Sequence, residues 1–200
     1  ARLADLSTRL FDVLAPGLGL LVLLGLLLVV AALVKLDSPG PVLFRQERVG
    51  RFGRPFFIHK FRTMRVEPGP LITIGQDPRI TRCGAWLRAS KLDELPQLWD
   101  VLRGAMSLVG PRPEVPRYVA LYPPELREQV LSVRPGITDP ASLACRHEAD
   151  LLAAAADPER EYVEVLMPQK LKLSAAYAER ASLGADLWLI FQTMARLLRG

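Results

Sequence analysis

From Val13 to Val34 the chain runs for 22 residues without a charge, most of them Leu or Val. A helix of that length rises about 33 Å at ~1.5 Å per residue, enough to cross the hydrocarbon of a bilayer. A cleaved signal peptide fits poorly. Its apolar stretch is about 7–15 residues and leads to a small-residue cleavage site, whereas this run ends in Lys35-Leu36-Asp37. Both flanks are basic: Arg2 and Arg9 precede the run, and Lys35, Arg45, Arg48, Arg51 and Arg54 follow it. Positive residues favour the cytoplasmic side. A crossing helix puts one basic flank on the wrong face, and a re-entrant hairpin puts neither there. Pro16, Gly17, Gly19 and, near the middle, Gly25 are places where a helix bends. The expectation is a re-entrant anchor over residues 1–38, with a plain spanning helix as the alternative, fused to a globular domain over residues 39–200.

Pro39-Gly40-Pro41 breaks the helix and opens that domain. Val42 to Val49 and Pro55 to Met64 read as strands, joined by a hairpin turn at Gly50-Arg51-Phe52-Gly53. Alternation along the second strand puts Lys60 and Arg62 on one face and Phe57, His59 and Phe61 on the other, so His59 reads as a packing residue. Helices are predicted around Ile80–Ala89, Pro96–Arg103 with Gly104 as its stop, Pro123–Ser132, Glu148–Ala156 and Glu159–Leu166. Near the end, Leu183, Leu187, Ile190, Phe191, Met194 and Leu198 fall on one helical face. Such a stripe packs into a core or, with Trp188, Arg196 and Arg199 nearby, lies at a membrane surface. The fold class is α+β and mostly helical, with a membrane helix, a short β-hairpin and amphipathic helices.

The net charge of +5 asks for an anionic partner: nucleic acid, a phosphorylated metabolite or an acidic membrane. Cys83 and Cys145 are 62 positions apart and form no CxxC pair, and His59 and His147 complete no zinc spacing.

The most informative stretch is Ser90-Lys91-Leu92-Asp93-Glu94-Leu95-Pro96-Gln97-Leu98. Pro96 suits the first position of a helix. Asp93 and Glu94 then stand just before, or within, a first turn whose free N–H groups favour negative charge. Neighbours on a helix point in different directions, so the two carboxylates divide the work. Alone, such a pair is a helix cap, and Ser90 with Asp93 even resembles a capping box. The cations change that reading. Lys60, Arg62, Arg88 and Arg112 lie in segments able to converge on the pair. Arg112 sits in Gly110-Pro111-Arg112-Pro113, where two prolines stiffen the backbone and the guanidinium fork suits a diphosphate.

Several stretches together resemble the bacterial sugar transferase family, the monotopic phosphoglycosyl transferases that begin glycan assembly on undecaprenyl phosphate. They are Arg9-Leu10-Phe11-Asp12; Lys35-Leu36-Asp37-Ser38-Pro39-Gly40-Pro41; Phe44-Arg45-Gln46 through Lys60-Phe61-Arg62-Thr63-Met64; Leu92 through Trp99; Met106 through Pro113; and Arg134-Pro135-Gly136-Ile137-Thr138. The resemblance covers nearly the whole chain. It implies a ping-pong reaction on the cytoplasmic face of the bacterial inner membrane, with a UDP-sugar, undecaprenyl phosphate and membrane lipid as partners and no nucleic acid. Asp93 would be the nucleophile and a ligand of Mg²⁺. Glu94 would assist as base or metal organiser, and Arg112, with Lys60, Arg62 and Arg88, would bind phosphate. Larger family members carry extra N-terminal membrane helices, which leaves open whether the native chain is longer.

Two departures stand out. Where the family has Ser-Pro in its membrane segment this chain has Leu24-Gly25, and where it commonly has Gly-Trp-Ala-Gln-Val this chain has Asp139-Pro140-Ala141-Ser142-Leu143. Sugar identity therefore does not carry over. The competing readings are a non-catalytic basic membrane module, which leaves the carboxylate pair unexplained, and a transferase that moves the sugar alone and releases UDP. Aromatics able to stack bases are sparse on the basic face, which argues against nucleic acid.

Overall fold

A computed structural model describes residues 2–67, 77–145 and 148–199. His147 and the side chains of Arg2, Arg196, Leu198 and Arg199 lie outside that description.

The apolar segment forms two helices, α1 (Arg2–Val22) and α2 (Leu24–Asp37). They bend by 65° at Leu23. The bend falls one residue before Leu24-Gly25, and it keeps its ladder: Leu23 N–H reaches the Gly19 carbonyl and Leu27 N–H the Leu23 carbonyl, both at 2.8 Å. No single helix among the described residues is long and apolar enough to cross a membrane, but α1 and α2 together pass that test.

The bent pair is packed onto the rest of the chain. Arg9 donates to the carbonyls of Val101 and Leu102, each at 2.7 Å. Those are the last carbonyls of α4 (Gln97–Leu102), where a cation suits both the free acceptors and the dipole. Buried Asp12 accepts from the Leu108 N–H at 2.9 Å, tying α1 to the short strand at residues 107–109.

Strands β1 (Leu43–Val49) and β2 (Pro55–Phe61) form the expected antiparallel hairpin, in a register that runs from Leu43 opposite Phe61 to Val49 opposite Pro55. The second strand is shorter than its sequence suggests: one further rung, Arg62 N–H to the Val42 carbonyl at 2.9 Å, follows Phe61. Helix α3 (Arg82–Ser90) follows, N-capped by Thr81, whose hydroxyl accepts from the Gly84 N–H. Strand β3 (Ser107–Val109) pairs in parallel with β4 (Gly136–Thr138), a second small sheet that sequence pattern does not reveal. Its two chains approach so closely at Gly110 and Gly136 that a Cβ on either would overlap the other's backbone.

The remaining elements are helical: α5 (Pro116–Val119), α6 (Pro124–Leu131), α7 (Pro140–Ala144), α8 (Glu148–Ala154), α9 (Pro158–Glu161), α10 (Met167–Arg180) and α11 (Leu183–Arg199). A wide π turn over Tyr162–Leu166 joins α9 to α10. The largest core gathers Val115, Tyr118, Val119, Val130, Leu166 and Leu171 from this helical layer. A second cluster matters more for the site. It joins Val30 and Val34 of α2 to Phe61 of β2 and Leu87 of α3, with Leu92 against it. Burying side chains of this size stabilises by about 1.5–3 kcal/mol each, so α2 is held firmly against β2 and α3. On α11, Leu187, Trp188, Phe191 and Met194 remain exposed rather than entering a core.

Candidate active site

Three segments meet beneath that second cluster. Helix α3 ends at Lys91, which adopts the left-handed conformation (φ 58°) and returns its N–H to the Arg88 and Leu87 carbonyls. The reversal starts a tight 3₁₀ turn over Leu92–Glu94, whose Leu92 plugs into the apolar cluster while Asp93 and Glu94 face other ways. The turn runs through Leu95 and Pro96 into α4. The carboxylates thus stand in a turn of their own, just ahead of the helix. The Ser90–Asp93 capping box is not formed, since the Ser90 hydroxyl donates back to the Trp86 and Leu87 carbonyls.

Glu94 Oε1 accepts from Lys60 Nζ at 2.7 Å and from Arg112 Nη2 at 2.6 Å. Lys60 comes from β2, Glu94 from the 3₁₀ turn and Arg112 from the proline-bounded loop after β3. One carboxylate oxygen therefore brings together two cations 52 residues apart in the chain. Burial pushes Glu94 up, but the charges and hydrogen bonds of Arg112 and Lys60 outweigh it and hold the carboxyl well below the usual range. A carboxylate so held is a poor proton acceptor. Neither the base nor the metal organiser expected from sequence is what the geometry displays: Glu94 holds two protein cations.

Asp93 is in the opposite condition. It is only 9% exposed, and its Oδ1 has no hydrogen-bond partner among the described residues. Burial, and then the adjacent Glu94 charge, push its carboxyl up; Lys60, Lys91 and Arg88 oppose them. Arg88 thus acts on Asp93 through its charge, from the face of α3. Lys60 is pushed down to about 8 by burial and by Arg112, against the pull of Glu94. Arg112 is pushed up, chiefly by Glu94.

The structure removes Arg62 from this group. Alternation would place it beside Lys60, but its side chain is drawn to the end of α2 and the loop that follows. The guanidinium is buried and donates to four backbone carbonyls: Pro39 and Pro41 at 2.7 Å, Ser38 at 2.8 Å and Val34 at 3.3 Å. Its donors are taken up by the end of α2.

His59 is more than packing. Its backbone N–H reaches Asp100 Oδ2 at 2.9 Å and its ring Nδ1 lies 2.7 Å from Asp100 Oδ1. Asp100 is 2% exposed and clips α4 to β2 one residue from Lys60. Nothing local in the sequence marks this partnership, because the two residues are 41 positions apart and on different elements. Gln97, four residues after Asp93, is also buried, with its amide nitrogen unpartnered among the described residues.

A site with two converging cations, a fixed organising carboxylate and a buried carboxylate with an idle oxygen suits a phosphorylated substrate. The family model for bacterial sugar transferase matches residues 3–200. The chain belongs to the bacterial sugar transferase family. Among its relatives is the UDP-glucose:undecaprenyl-phosphate glucose-1-phosphate transferase of Caulobacter vibrioides, 41% identical over 97% of this chain and 70% of that protein. An enzyme of the same name from Xanthomonas campestris pv. campestris is 39% identical over 96% of this chain. The UDP-N-acetylgalactosamine-undecaprenyl-phosphate N-acetylgalactosaminephosphotransferase of Aeromonas hydrophila is 36% identical, also over 96%. This chain spans 39% of the Xanthomonas protein and 44% of the Aeromonas one. Two of these relatives are named for glucose and the third for N-acetylgalactosamine.

Proposed function

We propose that this sugar transferase moves a sugar 1-phosphate from a UDP-sugar to undecaprenyl phosphate, releases UMP, and uses Asp93 as covalent nucleophile. The observation that carries the reading is the Lys60–Glu94–Arg112 bridge standing beside a buried carboxylate that is not itself tied up. In the first step an Asp93 oxygen attacks the sugar-bearing phosphorus of the donor. The bond from that phosphorus to the bridging oxygen breaks, and UMP leaves with the electron pair. In the second step an oxygen of the lipid phosphate attacks the same phosphorus, and the aspartyl–phosphorus bond breaks. The products are a polyprenyl diphosphate sugar and the free carboxylate. Lys60 and Arg112 bind the phosphoryl oxygens, where charge is spread in the transition state. Glu94 keeps both in place between turnovers.

Mg²⁺ fits these residues in a limited way. Among the described residues no three His, Cys, Asp or Glu side chains form a ready-made cage. Mg²⁺, however, is commonly held by one or two carboxylates together with substrate phosphates and water. Asp93, with its unpartnered oxygen, is the residue to hold it. When bound, the ion would offset the charge of the two phosphates.

The bent α1–α2 pair suits a re-entrant anchor. With basic residues on both flanks it would keep the catalytic domain at the cytoplasmic face of the inner membrane, where sugar nucleotides are made and the lipid phosphate is in reach. The test is UMP release across a panel of UDP-sugars, with Asp93→Asn alongside. The native enzyme should release UMP with at least one sugar and the variant with none. UDP as the leaving nucleotide, or normal turnover by the variant, would refute the assignment.

A further inference from the structure

Arg62 is a buried cation whose described hydrogen bonds all end on backbone carbonyls. Five N–H donors fixed in one plane can match a carboxylate or a phosphate, but here, as with Arg9 on α4, they serve a helix end, and with twice as many carbonyls. The acceptors here are not scattered. Val34 and Ser38 are at the last turn of α2 and its cap, where unpaired carbonyls and the helix dipole both favour a cation. Pro39 and Pro41 lie on the loop that leads from α2 into β1. A side chain on the exit of β2 therefore ties the end of the apolar helix to the loop that enters the catalytic domain, beside a lesser bond from Lys35 to the Gly40 carbonyl at 3.1 Å. Gly40 makes room for it: its φ is +129°, and a Cβ there would stand 3.1 Å from Arg62 Nη1.

The junction is stiffly linked to the chemistry. Two residues before Arg62 is Lys60, bonded to Glu94. The cluster that seats α2 contains Phe61, Leu87 and Leu92, which are the immediate neighbours of Lys60, Arg88 and Asp93. Position along α2 is thus converted, through rigid contacts, into the position of the reacting groups. This matters for one substrate only. A sugar nucleotide arrives from water and needs no particular depth. A polyprenyl phosphate arrives with its chain among lipid tails and its phosphate at a fixed level, and the nucleophile must lie at that level. Catalysis is sensitive to such placement: a misplacement of about 1 Å can cost about 100-fold.

We infer that Arg62 is a positioning residue for the lipid acceptor, a clamp that sets the height of the catalytic groups relative to the apolar helix pair. This rests on the reaction proposed above. The test uses the full chain in lipid nanodiscs and two variants that reach the clamp differently. Arg62→Lys keeps the charge but cannot serve four carbonyls. Gly40→Ala keeps Arg62 but crowds its guanidinium. Three rates are compared: the single-turnover burst of UMP without acceptor, transfer to long-chain polyprenyl phosphate, and transfer to a short-chain, water-soluble prenyl phosphate. The expected result for each variant is a burst within about twofold of native, kcat/KM for the long-chain acceptor lowered about tenfold or more, and a clearly smaller defect with the short-chain acceptor. An equal loss in all three rates, no loss in any, or failure of both variants to fold would overturn the clamp and leave Arg62 a stability residue. Absence of a UMP burst from the native protein would instead sink the proposed reaction.

Discussion

Replacing Glu94 with Gln separates the organising carboxylate from its charge. Gln retains an oxygen that can accept from Lys60 and Arg112, so the geometry can survive while the electrostatics do not. Lys60 is pushed down to about 8 by burial and by Arg112, and Glu94 is what keeps it from falling further. Gln leaves the Lys60 ammonium a hydrogen bond but removes a unit charge at 2.7 Å, worth about 1.5 kcal/mol even at the dielectric of water, or about one pKa unit. Lys60 in the variant should then titrate about one unit below its native value. The sign follows from the role proposed for it. The protonated amine binds phosphate, so activity is present at low pH and lost as pH rises through the Lys60 value. Native enzyme should show an alkaline limb near 8, and Glu94→Gln the same limb about one unit lower. At pH 8 half of native Lys60 is protonated but only about a tenth in the variant, an added loss of about fivefold. Weaker anchoring of Arg112 lowers the variant's activity at every pH and leaves the position of the limb alone. The assay is single-turnover UMP release from pH 5.5 to 9, backed by NMR titration of the labelled Lys60 side chain. A limb that stays in place, or moves upward, would refute the argument that Glu94 acts through its charge on Lys60.

Two further outcomes are expected. Chelation of divalent metal with EDTA should stop UMP release and added Mg²⁺ should restore it; undiminished activity in EDTA would remove the ion from the reaction. Asp100→Ala should leave the His59 N–H without its acceptor and lower stability by about 2 kcal/mol, read as a lower melting temperature in the same detergent, with Asp100→Asn intermediate because it keeps one acceptor oxygen. Equal melting of all three proteins would show that the His59–Asp100 clip holds nothing.

What is legible in the sequence is what local rules govern. The hairpin can be read because alternation and a Gly-bounded turn are short-range signals, and its register follows from them. The carboxylate pair can be found because Pro96 fixes where α4 can begin. Lys60 lies within the strand and reaches Glu94. Arg62 follows the strand's last residue with its N–H still bonded to Val42, and carbonyls at the close of α2 and on the loop beyond claim its side chain, acceptors that no local pattern reveals. Strand β4 is three residues long, and its partner β3 is 29 positions earlier, so no local pattern marks it. The sequence points to glycine for the helix break, but Gly25 only permits bending; the chain turns at Leu23 instead. The partnership of His59 with Asp100 is hidden for the same reason as β4, since it exists only once α4 packs on β2.

The two adjacent acids show why a motif alone understates a site. By sequence they are equivalent, side by side in one turn. By position they are opposites. Glu94 points at two cations and its charge is neutralised where it stands, so its capacity goes into holding Lys60 and Arg112. Asp93 is buried, gains no such partner for its Oδ1, and has its charge disfavoured by the neighbour that took the cations. An acceptor that is satisfied gains little from a new electrophile or metal, whereas one that is buried and unsatisfied gains a great deal. The reactivity expected of Asp93 therefore depends on Glu94 being well served. Exchanging the pair, by Asp93→Glu combined with Glu94→Asp, leaves charge and composition unchanged. Single-turnover UMP release by that double variant should nonetheless fall about 100-fold or more, the scale of loss that a misplacement of about 1 Å brings. The reason is reach: aspartate at position 94 is one methylene too short to bridge Lys60 and Arg112, and glutamate at position 93 moves the oxygens of the proposed nucleophile by one methylene. UMP release at the native rate would show that any two carboxylates in this turn suffice.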